Sequence, residues 1–288
     1  MKIENVLTGF IAEPRGRDGL ALAVLLARQA RAKLTVATVQ PPAWNTPGPA
    51  KADESAWRAY LREQSDATLE QARELAGDDA DYVVHTNKGS GRGLVELARK
   101  READVVVIGS APSGAKGRIS LGSTADQLLH SSSVPVLLAP KGWSEDPPAE
   151  FQRLTVAYRR GPGCDHAVAE AARAAVSLDV PLRLVTLVVS SAKKAKIEQE
   201  MSERLREQAA ADLKAAARGQ RRKLQVDVEI LEGRNVAQAL GAATWLDGEL
   251  IICASSSSGP LRRVFLGDTS IKIVKAATCP VMILTREP

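Results

Sequence analysis

The residues with the most chemical promise in this chain lie between Gly109 and Thr124. A run of branched residues, Val105 to Ile108, gives way to a loop of small residues carrying Lys116 and Arg118, and Leu121-Gly122 then opens a helix at Ser123 and Thr124. Such a loop suits phosphate. Glycines let the backbone approach phosphate oxygens, and a helix start offers free N–H groups and the positive end of its dipole. Lys116 and Arg118 are cations of the kind that pair with phosphate. The same residues also read as a plain strand-to-helix turn, with Ser123 or Thr124 as N-cap, Asp126 or Gln127 completing a capping box, and both cations solvated. Both readings stand at this point.

The elements that must position these residues occur twice. Val105 to Pro140 is repeated as Leu250 to Thr285, each copy with a buried-type strand, a small-residue loop, a Leu-Gly turn, a helix and a closing apolar strand entered through a proline (Pro135, Pro280). Upstream, an apolar run at Val6 to Ile11 precedes a turn and then Leu20, Ala23, Val24, Ala27 and Ala30 at helical spacing. Next come a strand at Leu34 to Val39, a polar helix from Asp53 to Leu75, a strand at Tyr82 to His85 and a helix from Gly93 to Lys100. The second half repeats this order at an offset of 148, pairing Pro14 with Pro162, and later of 145, pairing Gly122 with Gly267. The halves divide at 1–141 and 150–288, across Gly-Trp-Ser-Glu-Asp-Pro-Pro, a stretch of linker composition. Alternating strands and helices predict parallel sheets covered on both faces, with ligands beyond the carboxyl ends of the strands.

The bulk composition narrows the function. Of 288 residues, 44% are hydrophobic but only 3% aromatic, which suits helices packed on a sheet and disfavours a stacking platform for single-stranded nucleic acid. A net charge of +5 from 39 basic and 34 acidic side chains is too dispersed for a DNA-binding surface. No apolar run approaches the length of a membrane span, and no leader precedes the first strand, so a cytoplasmic protein with reduced thiols is expected. His85, His130 and His166 are scattered without partners at metal-ligand spacing. Cys279 reads as a packing residue. Ser255 to Ser258 lack a nucleophile elbow, and no P-loop lysine motif is present. These absences lead to the expectation that the protein is not an enzyme. A polar segment from Ser191 to Lys223 carries Ile197, Met201, Leu205, Ala209 and Leu213 at intervals of four, the stripe of a sheet-covering helix or of one that recruits a partner.

A strand, then glycine, two residues, a second glycine, nine residues, and Gly-Ser or Gly-Thr before a helix is the nucleotide loop of universal stress proteins, and nearly the whole chain resembles a tandem member of that family. The resemblance implies two flavodoxin-like α/β domains of the adenine-nucleotide α-hydrolase type, each a five-stranded parallel sheet with helices on both faces. It also implies ATP or a related adenine nucleotide as ligand, and an Asp after the first strand to help hold it.

In the first half, Gly109, Gly122 and Ser123 fit the motif, with Thr124, Lys116 and Arg118 beside them. Pro112 replaces the second glycine and has no N–H to give. Ile11 stands at the Asp position. In the second half Ala254 and Ser257 replace both glycines, Arg159 stands at the Asp position, and Asp268 follows Gly267. Asp268 is expected to cap its helix and to face a phosphate at roughly 4 Å, a repulsion of about 4 kcal/mol at an effective dielectric near 20, against the roughly 8 that hold a micromolar ligand. One weakened site in the first half and none in the second is therefore expected, in a stress sensor or regulator. The alternative is a nucleotide-independent module that engages an unknown protein partner. In the family the closing strands pair, so the halves are expected to meet through Val134 to Leu138 and Val281 to Leu284, either within the chain or across a homodimer.

Overall fold

The computed structural model describes residues 1–42, 51–189, 196–220, 224–255, 264 and 267–286, with the helical backbone alone for 51–54 and 196–202. The first half runs β1 (Asn5–Gly9), α1 (Pro14–Ala30), β2 (Lys33–Gln40), α2 (Lys51–Ala76), β3 (Asp81–Thr86), α3 (Ser90–Lys100), β4 (Val105–Gly109), α4 (Ser123–Ser131) and β5 (Val136–Ala139). The second runs β6 (Arg153–Ala157), α5 (Pro162–Leu178), β7 (Leu182–Val189), α6 (Lys196–Arg218), β8 (Val226–Gly233), α7 (Val236–Gly241), β9 (Glu249–Cys253), α8 (Asp268–Ala276) and β10 (Val281–Ile283).

Local sequence explains these elements in both copies. Val105 to Ile108 of β4 and Leu250 to Ile252 of β9 are branched and buried, as strands covered on both faces must be. Proline starts α1 and α5, where its missing N–H costs no hydrogen bond. Both helices end in the same way. Arg31 and Asp179 take left-handed conformations at φ 54° and 56°, and the next residue's N–H returns to the helix, Ala32 to Ala27 at 2.8 Å and Val180 to Ala175 at 3.0 Å.

The ten strands form one sheet in the order β3-β2-β1-β4-β5-β10-β9-β6-β7-β8. Pairing is parallel within each half. Only β5 and β10 run antiparallel, with Val136 opposite Ile283 and Leu138 opposite Val281. The closing strands thus meet inside the chain, and a pseudo-twofold axis passes between them. One apolar layer packs α1, α2, α5 and α6 on one face, and a second packs α3, α4, α7 and α8 on the other.

The segment between the halves is fixed rather than loose. A 3-10 turn at Trp143–Glu145 lies against α1, where the buried Asp18 carboxylate accepts from the N–H groups of Gly142 (2.8 Å) and Ser144 (2.9 Å) and from the Ser144 hydroxyl (2.8 Å). Gln29 of α1 then holds the start of the second half, accepting from Phe151 N–H at 2.7 Å and donating to its carbonyl at 3.1 Å.

Several boundaries differ from the sequence reading. β1 stops at Gly9, although Phe10 stays buried and bonds Ala37 O at 2.8 Å. α3 starts at Ser90, because Asn87 accepts from Gly89 N–H at 3.0 Å and Gln127 accepts from Arg92 N–H at 3.2 Å, so its first turn is satisfied despite two glycines. In the stripe of α6, Leu213 is buried but Leu205 is 61% exposed, so the helix packs on the sheet through its C-terminal end; Ile197 and Met201 lie outside the described side chains. No described helix is long and apolar enough to cross a membrane.

Candidate functional site

The strand order of the first half reverses beside β1, whose neighbours are β2 and β4. A cavity of about 110 Å3 opens there, beyond the carboxyl ends of these strands. Its wall is apolar: Phe10, Ile11, Val39, Leu94 and Ile108 line it. Its other side is made by three helix starts, Arg15 and Gly16 of α1, Ser90 of α3, and Ser123, Thr124 and Ala125 of α4. The starts of α1 and α4 carry no side-chain cap, so their first-turn N–H groups and dipole ends favour an anion, whereas at the start of α3 Gln127 already accepts from Arg92 N–H.

Of the residues read from the sequence, Gly109, Gly122, Ser123 and Thr124 come together around this cavity, whereas Lys116 and Arg118 are not among its lining residues. Lys116 forms an ion pair with Glu145 of the 3-10 turn. Arg118 crosses to the second half, donating to the carbonyl of Ala276 at the C-terminus of α8. The return contact is the Val264 N–H on Ser132 O, at the end of α4, at 2.9 Å. Through Arg118 and Val264, each half therefore contacts the end of the other half's last helix.

The loop itself is closed by a residue that sequence reasoning missed. Lys141, just beyond β5, donates to the carbonyls of Pro112 (2.7 Å) and Gly114 (2.9 Å), and its backbone pairs with Gly117 and Arg118. Ser110, buried below, accepts from Ser120 N–H at 2.8 Å. Ser90 was missed too, because the sequence reading starts that helix at Gly93.

The capping box proposed from sequence does not form. Gly122 is the N-cap of α4, at φ −113° and ψ −178°, so Ser123 is already the first helical residue, and Gln127 reaches α3 instead. The same shift applies to Asp268. Gly267 is the N-cap of α8 and Asp268 makes no capping hydrogen bond, although its carboxylate still stands in the first turn.

Gly109 also serves the packing. A Cβ there would lie 1.9 Å from Arg15 O, one on Gly16 2.0 Å from Ile11 O, and one on Gly19 2.8 Å from Gly109 N. Gly109 and Gly19 let α1 lie directly on the end of β4, and Gly16 lets it follow closely on Ile11. Their counterparts in the second half are Cys164, Ala167 and Ala254, so α5 cannot approach β9 as closely. Gly109→Ala is expected to push out the first turn of α1 and cost about 2 kcal/mol, whereas Ala254→Gly should cost no more than about 1. Urea unfolding of the two variants checks this, and a Gly109→Ala protein as stable as the parent would refute it.

The remaining candidates are quiet. Cys164, Cys253 and Cys279 are free thiols, and burial pushes the Cys253 thiol up to about 12, far from a reactive thiolate. No group of three metal-ligating side chains occurs among the described residues. Ser256 to Ser258, Arg262 and Arg263 lie outside the described residues.

The model of the universal stress protein family matches the chain twice, over residues 3–140 and 150–285. A universal stress protein of Mycobacterium tuberculosis is 32% identical over 295 residues, covering 97% of this chain and 99% of that one. One of Mycobacterium bovis matches to the same extent, at 32% identity over 97% of this chain and 99% of its own length. The crystal structure of a universal stress protein from Archaeoglobus fulgidus aligns with a TM-score of 0.63 at 17% identity, over 99% of this chain and 100% of that chain, and speaks for the fold. With both halves matched in sequence and each built as the same doubly wound unit, the chain belongs to the universal stress protein family, as a tandem two-domain member.

Proposed function

We propose that the first half binds one adenine nucleotide reversibly, without turnover, as a stress-response sensor or regulator, and that the second half serves as its scaffold. The observation that carries this reading is the cavity at the β1/β4 switch. It joins an apolar wall, suited to a base, to three helix starts, two of them uncapped and suited to phosphate, and among the described residues no acidic side chain lines it. The first turn of α8 instead carries the Asp268 carboxylate, and Ala254 stands where Gly109 does in the first half.

At about 110 Å3 the cavity is smaller than the ~300 Å3 at which small-molecule pockets begin. The cavity therefore holds only part of a nucleotide, and the rest extends outside it. That small volume favours the second reading, a nucleotide-independent module whose surface engages a protein. Nucleotide analysis of heat-released protein, with titration calorimetry against ATP, separates the two. About one nucleotide per chain is expected, and no binding at millimolar ATP would sink the first reading.

A further inference from the structure

Among the described residues, Arg15 is the one ionisable residue lining the cavity. The loop cations are committed elsewhere: Lys116 to Glu145, Arg118 to Ala276 O, and Lys141 to two loop carbonyls. Arg15 is held less well. Its Nε lies 3.0 Å from a Glu13 carboxylate oxygen, yet is shielded from solvent and makes no hydrogen bond. Both side chains remain about half exposed, at 41% for Arg15 and 53% for Glu13, so the pair is not part of the packed core. Glu13 is the N-cap of α1 but makes no capping bond, and no acidic residue follows in the first turn of that helix.

Resting on the reading that this cavity binds a nucleotide, we infer that Arg15 is its anion-receiving residue, exchanging Glu13 for a phosphoryl group of the ligand. A guanidinium offers five donors in a planar fork, and a phosphate engages two at once where Glu13 now engages none in good geometry. Glu13 is then an internal competitor for Arg15. Removing Glu13 and removing Arg15 must act in opposite directions, which a purely structural role for either residue does not predict.

The test is calorimetry on the full chain with ATP, adenosine and inorganic pyrophosphate over a range of salt concentrations. Arg15→Ala should weaken ATP at least about tenfold and leave adenosine unchanged, with a shallower salt dependence. Arg15→Lys should restore part of the loss, and Glu13→Gln should tighten ATP and pyrophosphate. Unchanged ATP affinity in Arg15→Ala, or an equal loss of adenosine, overturns the inference while leaving the nucleotide reading intact. Binding of pyrophosphate that depends on Arg15, without binding of ATP, supports the inference and removes the nucleotide. If wild-type protein binds none of the three, both fall.

Discussion

A Gly122→Asp variant will fold at least as well as the parent and lose its nucleotide. The backbone at Gly122 is extended and forms the N-cap of α4, a position where aspartate is favoured over glycine by a few tenths of a kcal/mol. There is nearly room for it, since the atom closest to an added Cβ is the Ala111 Cβ at 3.1 Å. Function moves the other way. The new carboxylate accepts from the helix N–H groups that would grip the ligand and places a negative charge roughly 4 Å from its phosphate, a penalty of about 4 kcal/mol, or close to a thousandfold in affinity. Calorimetry with ATP beside urea unfolding reads both signs at once. Retained affinity within tenfold would mean that phosphate is not held at this helix. The converse change, Asp268→Gly, is not expected to create a second site, because Cys164, Ala167 and Ala254 still keep α5 from closing over β9.

Replacing Glu249 by alanine is expected to destabilise the protein by about 3–5 kcal/mol, the usual loss when one member of a buried ion network is removed. Glu249 is 0% exposed at the start of β9 and meets Arg153 at 2.7 Å, Arg183 at 2.8 Å and the Thr155 hydroxyl. Arg183 is 3% exposed, also pairs with Glu229 at 3.0 Å, and lies 4.6 Å over the Trp245 ring. Without Glu249 the Arg183 guanidinium keeps one half-exposed carboxylate, with the neutral Thr155 hydroxyl and Thr244 carbonyl, and stays buried. Burial alone pushes the Glu249 carboxyl up, but hydrogen bonds from Arg153, Thr155 and the Leu246 N–H, with the charge of Arg183, outweigh it and hold the group below its ordinary 4.5. A depressed folded value means that this stabilisation is complete above pH 4.5 and is lost as pH falls through the folded value. Urea midpoints measured from neutral pH down to pH 3 should fall for the parent, and the gap to Glu249→Ala should narrow. A gap that stays constant would show that Glu249 is not the titrating group.

Much of the site was legible because it is local. Gly109, Gly122, Ser123 and Thr124 lie at the two ends of a single strand-loop-helix unit, so their spacing brings them together. What failed locally failed by one residue: the cap of α4 is Gly122 rather than Ser123, and that of α8 is Gly267 rather than Asp268, because the first residue with helical dihedrals is set by how the preceding loop arrives. The cations were not legible. Lys116 and Arg118 have long side chains, and their partners, Glu145 and Ala276, lie 29 and 158 residues away. Arg15, four residues beyond the Asp-equivalent Ile11, gave no signal at all. Only the approach of α1 to β4 places it at the cavity.

By itself the sequence determined the duplication, the alternation of strands and helices, and hence two doubly wound units, because periodicity and turn chemistry act over a few residues at a time. Tertiary structure alone decided that β5 and β10 join the halves antiparallel within one chain, that Asp18 and Lys141 fix the linker and the loop, and that Lys116 pairs with the linker turn while Arg118 reaches the other half. Those outcomes depend on which distant groups meet in space, and a polar or charged side chain takes whichever partner the packed elements bring within hydrogen-bonding reach.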